Sequence, residues 1–255
     1  MGTLIGLEFK KMFFKKRLFI LWALTIFLCL KILRHFNILE TYASIFHKSY
    51  EIVPLMGILM FMGIASSYTL EYSSNMVQLI KTTRNGKGKI VLAKSIAAGI
   101  GSSIINLSIF LAVVLSGLNK YKFKSLDLPI KNLWYFGNSG SNLTVIQMIL
   151  IMVVTIILGS FVFSQIGLLL SSISKSAVIP FVFGGLTMGV PYFISEFLHN
   201  NAFLEYLGLT PLWGMMSCQL VRYKVPMMSI GFLIVLFLGV MVVVPKLTLG
   251  AFKRQ

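Results

Sequence analysis

The sequence predicts an all-α, polytopic membrane protein of six transmembrane helices, with both termini cytosolic and an amphipathic interfacial helix at the start. Three observations carry that expectation. Hydrophobic residues make up 57% of the 255 and the mean hydropathy is +0.87, against a roughly half-apolar composition in soluble domains. Six stretches, residues 18–33, 52–70, 95–118, 143–170, 176–195 and 227–244, approach the about 20 apolar residues that a hydrocarbon core about 30 Å thick requires. Lysine and arginine are unevenly shared among the segments that join them.

With 23 Lys and Arg against 7 Asp and Glu, the formal net charge is +16. In a soluble protein of this size that balance would suggest a nucleic-acid partner. Topology accounts for it here. If the N-terminus is cytosolic, the inner segments hold Lys10, Lys11, Lys15, Lys16, Arg17, Lys81, Arg84, Lys87, Lys89, Lys94, Lys175, Lys246, Lys253 and Arg254. Fourteen of the 23 are then inside, the bias expected of cytoplasmic loops. The implied partner is the lipid membrane, with no nucleic acid.

Residues 4–17 place Ile5, Phe9, Met12 and Phe13 at helical spacing with Glu8, Lys11 and Lys15 on the other side, which reads as a helix lying on an anionic cytosolic surface. The basic region is long and no small-x-small cleavage site follows, so the first apolar run reads as a retained helix rather than a signal peptide. Its uncharged centre, residues 18–30, is short, and Arg17 and Lys31 would snorkel to the two interfaces. Residues 52–70 form the second span.

The largest inner segment is 71–94, EYSSNMVQLIKTTRNGKGKIVLAK. Met76, Val77, Leu79 and Ile80 supply an apolar stripe for a short helix, Asn85 and Gly86 a turn, and residues 90–93 lead back to the membrane. After the third span, the outer segment 119–142 carries Lys120, Lys122, Lys124 and Lys131 with Trp134 and Tyr135; anchoring at outer headgroups or contact with anionic wall polymers is expected of it ahead of substrate binding. The fourth span is long enough to tilt steeply or break. A few residues around 171–176 join it to the fifth. In the last outer segment, 196–226, the partly apolar run 207–220 is interrupted by Pro211 and is too short to span, so it dips partway or lies at the interface. No repeat or linker divides the chain, and residues 1–255 read as one membrane domain.

Several absences limit the chemistry. No G-x-x-x-x-G-K-[ST] occurs, and Gly86-Lys87-Gly88-Lys89 lacks the spacing and hydroxyl of a phosphate-cradling loop. His35, His47 and His199 fall in outer segments without H-E-x-x-H spacing, which speaks against a zinc peptidase and leaves them as surface residues. Cys29 and Cys218 are too far apart in this topology to bridge. No ionisable group is centred in a span, as an ion-coupled carrier would need. Asn106 and Gln165 suit hydrogen bonds between helices, and the four-residue spacings of Ala97 with Gly101 and Gly185 with Gly189 suit close packing of the third and fifth spans.

Six spans, both ends inside, a basic amphipathic first helix and one helical inner loop resemble the type-2 permease family of ABC transporters. Glu71 closing the second span, the apolar Met76, Val77, Leu79 and Ile80, the basic turn with Arg84 and Lys89, and Lys94 opening the third span are similar to that family's inner loop. Leu209-Thr210-Pro211-Leu212-Trp213 is similar to its Pro-aromatic segment before the last span. Ser74-Asn75 stands where the family commonly has Gly-Thr. The resemblance implies a chain without catalytic residues, cofactor or metal of its own. Its coupling residues would be Glu71, Met76, Val77, Leu79, Ile80, Arg84, Lys89 and Lys94. A cytosolic ABC ATPase dimer would bind ATP and magnesium, and a second permease copy or sibling would complete the transporter. Small chains of this kind resemble bacterial plasma-membrane exporters of peptides, including those giving immunity to bacteriocins. Two other classes compete: a non-transporting immunity or sensor protein working through residues 120–131, and an intramembrane peptidase, for which no His or carboxylate lies at the depth of the buried serines.

Overall fold

The computed structural model of the chain describes residues 1–33, 37–74, 86–137, 139–197 and 204–254. Among these there is no strand, only one isolated bridge between Pro129 and Thr144. Five helices are long and apolar enough to cross a membrane: Val53–Ser73, Gly86–Lys120, Val145–Ile173, Val178–Phe197 and Met227–Arg254. These suit a multi-pass membrane protein. The helix at the first expected span, Lys16–Lys31, has 16 residues, which at 1.5 Å each reach about 24 Å, short of a hydrocarbon core of about 30 Å.

The chain begins with α1 (Gly2–Phe13) and turns at Phe14 and Lys15, the latter extended, into α2 (Lys16–Lys31). Next is α3 (Ile38–Glu51), capped by Asn37, whose side chain accepts from the Glu40 amide at 2.8 Å. The expected second span is broken. It runs as α4 (Val53–Ile64), a turn at 65–68, and α5 (Thr69–Ser73). Ser171 patches the break, its hydroxyl donating to the Ala65 carbonyl at 2.9 Å and accepting from the Tyr68 amide at 3.1 Å.

Helix α6 (Gly86–Lys120) starts nine residues before the expected third span, so Gly86 opens a helix rather than a turn and Lys94 lies two turns inside it. Helix α7 (Val145–Ile173) is continuous over 29 residues, neither broken nor interrupted, and begins with a capping box between Thr144 and Gln147. Helix α8 (Val178–Phe197) follows. Three short helices, α9 (Leu204–Leu207), α10 (Pro211–Met215) and α11 (Ser217–Arg222), precede α12 (Met227–Arg254), which continues through Pro245 beyond the expected end of the sixth span.

Helices α6 and α7 form the centre, with α1, α2 and α4 against α6, and α10 and α12 against α7. Polar side chains join the central pair. Ser95 donates to Gln165 at 2.6 Å and Asn106 to Ser160 at 2.9 Å, while Trp22 ties α2 to Ser108 at 2.9 Å. These bonds supply adhesion that the hydrophobic effect does not give between helices in lipid.

One end of the bundle is closed by aromatic packing. Phe46 of α3 meets Phe136 at 5.1 Å, and Arg222 lies over Tyr135 at 4.3 Å and Tyr223 at 5.1 Å. Trp213 is fully buried, stacks on Tyr223 at 5.0 Å and donates to the Tyr50 hydroxyl at 3.3 Å. The segment 119–142 therefore packs partly inward, with Ile130, Leu133, Tyr135 and Phe136 buried. His47 is not an isolated surface residue. It sits half-buried against Trp134 and Tyr135, and burial pulls its imidazole below the ordinary value, opposed in part by Glu51. His35 and His199 lie outside the described residues.

The small-residue spacings act differently from expectation. Gly185 and Gly189 face open space or a distant ring, so that pair packs nothing. Gly101 does admit close approach, to α1 rather than to another long helix: a Cβ there would lie 2.1 Å from the Phe13 ring, and one at Gly63 would lie 2.7 Å from the same ring. Phe13 is thus wedged between α4 and α6. Gly101→Ala is expected to cost about 1–3 kcal/mol by overpacking in thermal unfolding of the detergent-solubilised chain, and Phe13→Leu in the same chain should recover part of that; additive losses would contradict the contact.

Candidate functional site

At the end of the bundle opposite the aromatic cap, the two residues that bound segment 71–94 meet. Lys94 of α6 is fully buried. Its ammonium lies 2.9 Å from Glu71 Oε1 of α5 and 2.8 Å from Glu8 Oε2 of α1, and donates to the Ser67 carbonyl at 2.7 Å. A lysine ammonium has three donors; two form hydrogen bonds, to Glu8 and Ser67, and Glu71 adds an ion pair. The Tyr68 ring sits under the same nitrogen, 4.9 Å from its centroid. Glu71 Oε1 also accepts from Lys11 at 2.9 Å. Two carboxylates and two ammonium groups therefore form a cluster of zero formal charge, the condition under which charges persist inside an apolar body.

The broken second span makes this arrangement possible. Unwinding at 65–68 frees carbonyls that a continuous helix would use internally, and side chains take them: Lys94 binds Ser67, Ser171 binds Ala65, and Lys15 donates to the Gly63 carbonyl at 3.1 Å and the Ser66 hydroxyl at 2.7 Å. Burial pushes the Lys15 ammonium below its usual value. Glu71 Oε2, Ser67 Oγ and the Tyr68 hydroxyl are buried beside Lys94 without partners, so the pocket holds polar capacity beyond what the four charges consume.

Two further helices close the cluster. Tyr72 donates to the Ser172 carbonyl of α7 at 2.7 Å. Phe252 near the end of α12 is fully buried, 5.3 Å from the Tyr68 ring and stacked on Tyr72 at 6.3 Å. Helix α1, the broken second span, α6, α7 and α12 thus converge on one buried lysine.

Glu71 and Lys94 come together, whereas Lys89 is exposed on α6. Met76, Val77, Leu79, Ile80 and Arg84 lie outside the described residues. The expected solvent side of α1 is corrected: Glu8 is buried, Lys11 pairs with Glu71, and Lys15 turns inward. The signal was present, because Ile5, Glu8 and Met12 fall at i, i+3 and i+7 on one helical face. Lys94, expected to open the third span, is the ninth residue of α6. Ser67, Tyr68, Ser171 and Phe252 carried no sequence signal, since their roles follow from the helix break.

Among the described residues no group of three His, Cys, Asp or Glu could hold a metal ion, and both cysteines are buried and free. No known family, curated protein or solved structure matches the chain.

Removing one member of a buried ion pair strands the other. Lys94→Met is expected to lower stability by about 3–5 kcal/mol, and Glu71→Gln combined with Lys94→Met should cost less than the sum of the single changes in a double-mutant cycle. Strict additivity would show that the two groups do not interact.

Proposed function

We propose that this chain is the permease subunit of an ATP-driven ABC exporter of the bacterial plasma membrane, moving an amphipathic peptide or other apolar compound. The observation that carries the reading is the Glu8–Lys94–Glu71 cluster, because it binds both ends of segment 71–94 to each other and to α1. A force on that segment would not be absorbed by a loose loop. It would reach the broken second span, α6 and α1 together.

In this reading α2 is a sixth, short span, and the positive-inside bias places both termini and segment 71–94 in the cytosol. Met76, Val77, Leu79 and Ile80 form the face that rests in a groove of a separate ATPase, an apolar stripe flanked by charge as helix-in-groove recognition uses. ATP and magnesium are bound by that partner. Closure of its two subunits pushes on the segment, and the packed helices rock between two arrangements rather than bending continuously. A second permease copy or sibling completes the pathway.

The test is co-purification. With an intact stripe the chain should bring down an ABC ATPase, and replacing Met76, Leu79 and Ile80 by Asp should abolish the association while the permease remains folded. An unchanged yield of complex would overturn the coupling role.

A further inference from the structure

An aromatic groove runs along the elbow between α1 and α2. Phe9, Phe14, Phe19 and Trp22 form an edge-to-face ladder, with successive centroids 6.1, 5.8 and 5.5 Å apart, and Ile104 of α6 forms the opposite wall. The groove has a volume of about 180 Å³ and is lined almost wholly by carbon. At a water-like volume of about 30 Å³ per heavy-atom group, it accommodates several methylenes of one chain. Its wall is held in place, since the Trp22 indole is fixed by its bond to Ser108 and Phe13 behind it is wedged between two glycines.

The mouth is basic. Lys10 precedes Phe13 by three residues on α1, and Lys16 precedes Phe19 by three on α2. Residues three apart are neighbours on a helix surface. Lys10 and Lys16 are exposed and have no ion-pair partner among the described residues, whereas Lys11 pairs with Glu71 and Lys15 donates to the Gly63 carbonyl and the Ser66 hydroxyl. Two uncommitted cations border the apolar slot. We propose that the groove seats one acyl chain of an anionic phospholipid of the bilayer, with Lys10 and Lys16 holding its phosphate. This inference is independent of any transport activity. It assigns the elbow a lipid that braces α1, which supplies Glu8 to the buried cluster, against α2 and α6.

Trp22 reports directly on the groove. With Trp134 and Trp213 replaced by Phe, the full chain is reconstituted into phosphatidylcholine vesicles containing a minority of brominated phosphatidylglycerol or the same fraction of brominated phosphatidylcholine. Quenching of Trp22 should be several-fold greater with the anionic lipid. Lys10→Gln and Lys16→Gln together should bring the two lipids to parity, and Ile104→Phe, which fills the slot and leaves the charges, should do the same. Native mass spectrometry of the chain with all its tryptophans serves if Trp213→Phe fails to fold, and retained phosphatidylglycerol in preference to phosphatidylcholine is expected. Equal quenching or retention by both lipids would overturn the proposal. So would an anionic preference that survives Ile104→Phe, because it would mean enrichment around the chain without a seated lipid.

Discussion

The burial of one ammonium group organises the rest of this protein. Lys94 sits in an apolar helix with no exposed surface, and taking such a charge out of water costs several kcal/mol even after relaxation. That cost is offset only where opposite charge and hydrogen-bond acceptors are supplied together. Glu8 must come from α1, Glu71 from α5, and a free carbonyl from the unwound turn between α4 and α5. The position of α1, the break in the second span and the start of α6 are therefore linked requirements of a single group.

Further along the bundle, adhesion depends on size and on modest hydrogen bonds. Lipid tails are as apolar as leucine, so apolar side chains gain little by leaving them. Close approach at Gly63 and Gly101 lets Phe13 enter between two helices, and the Ser95–Gln165 and Asn106–Ser160 pairs tie α6 to α7. By contrast α12 leaves most of its length exposed, with only Leu233, Thr248 and Phe252 buried. Its end is nevertheless held, because Phe252 packs on Tyr68 and Tyr72 beside the charge cluster.

Much of the helical order was legible from apolar run length, and the boundaries were not. Runs ending at charges suggested that the third span begins at Ser95, yet helix formation continues back to Gly86 because Lys94 finds partners inside the protein. The break at 65–68 was invisible, since Ala65, Ser66, Ser67 and Tyr68 contain neither glycine nor proline; it exists because Ser171, Lys15 and Lys94 take the freed carbonyls. Helix α3 was missed because its buried face is covered by parts distant in sequence, Tyr42 by Tyr121, Ile45 by the helix at Gly117 and Phe46 by Phe136. In the candidate site Glu71 and Lys94 were legible from their places at the two ends of one loop. Glu8 was misplaced by grouping it with the lysines of α1 by polarity rather than by angular position.

The central claim is that Lys94 holds α1 and the ends of segment 71–94 as one unit. Hydrogen exchange, followed by mass spectrometry on the Lys94→Met chain, tests it most directly, since local opening follows the contacts that hold each segment. Amides of Gly2–Phe13 and Thr69–Ser73 should lose protection together while α10, α11 and the turns at 130–136 keep theirs. Loss confined to the turn of α6 around residue 94, with α1 and α5 as protected as before, would contradict the account.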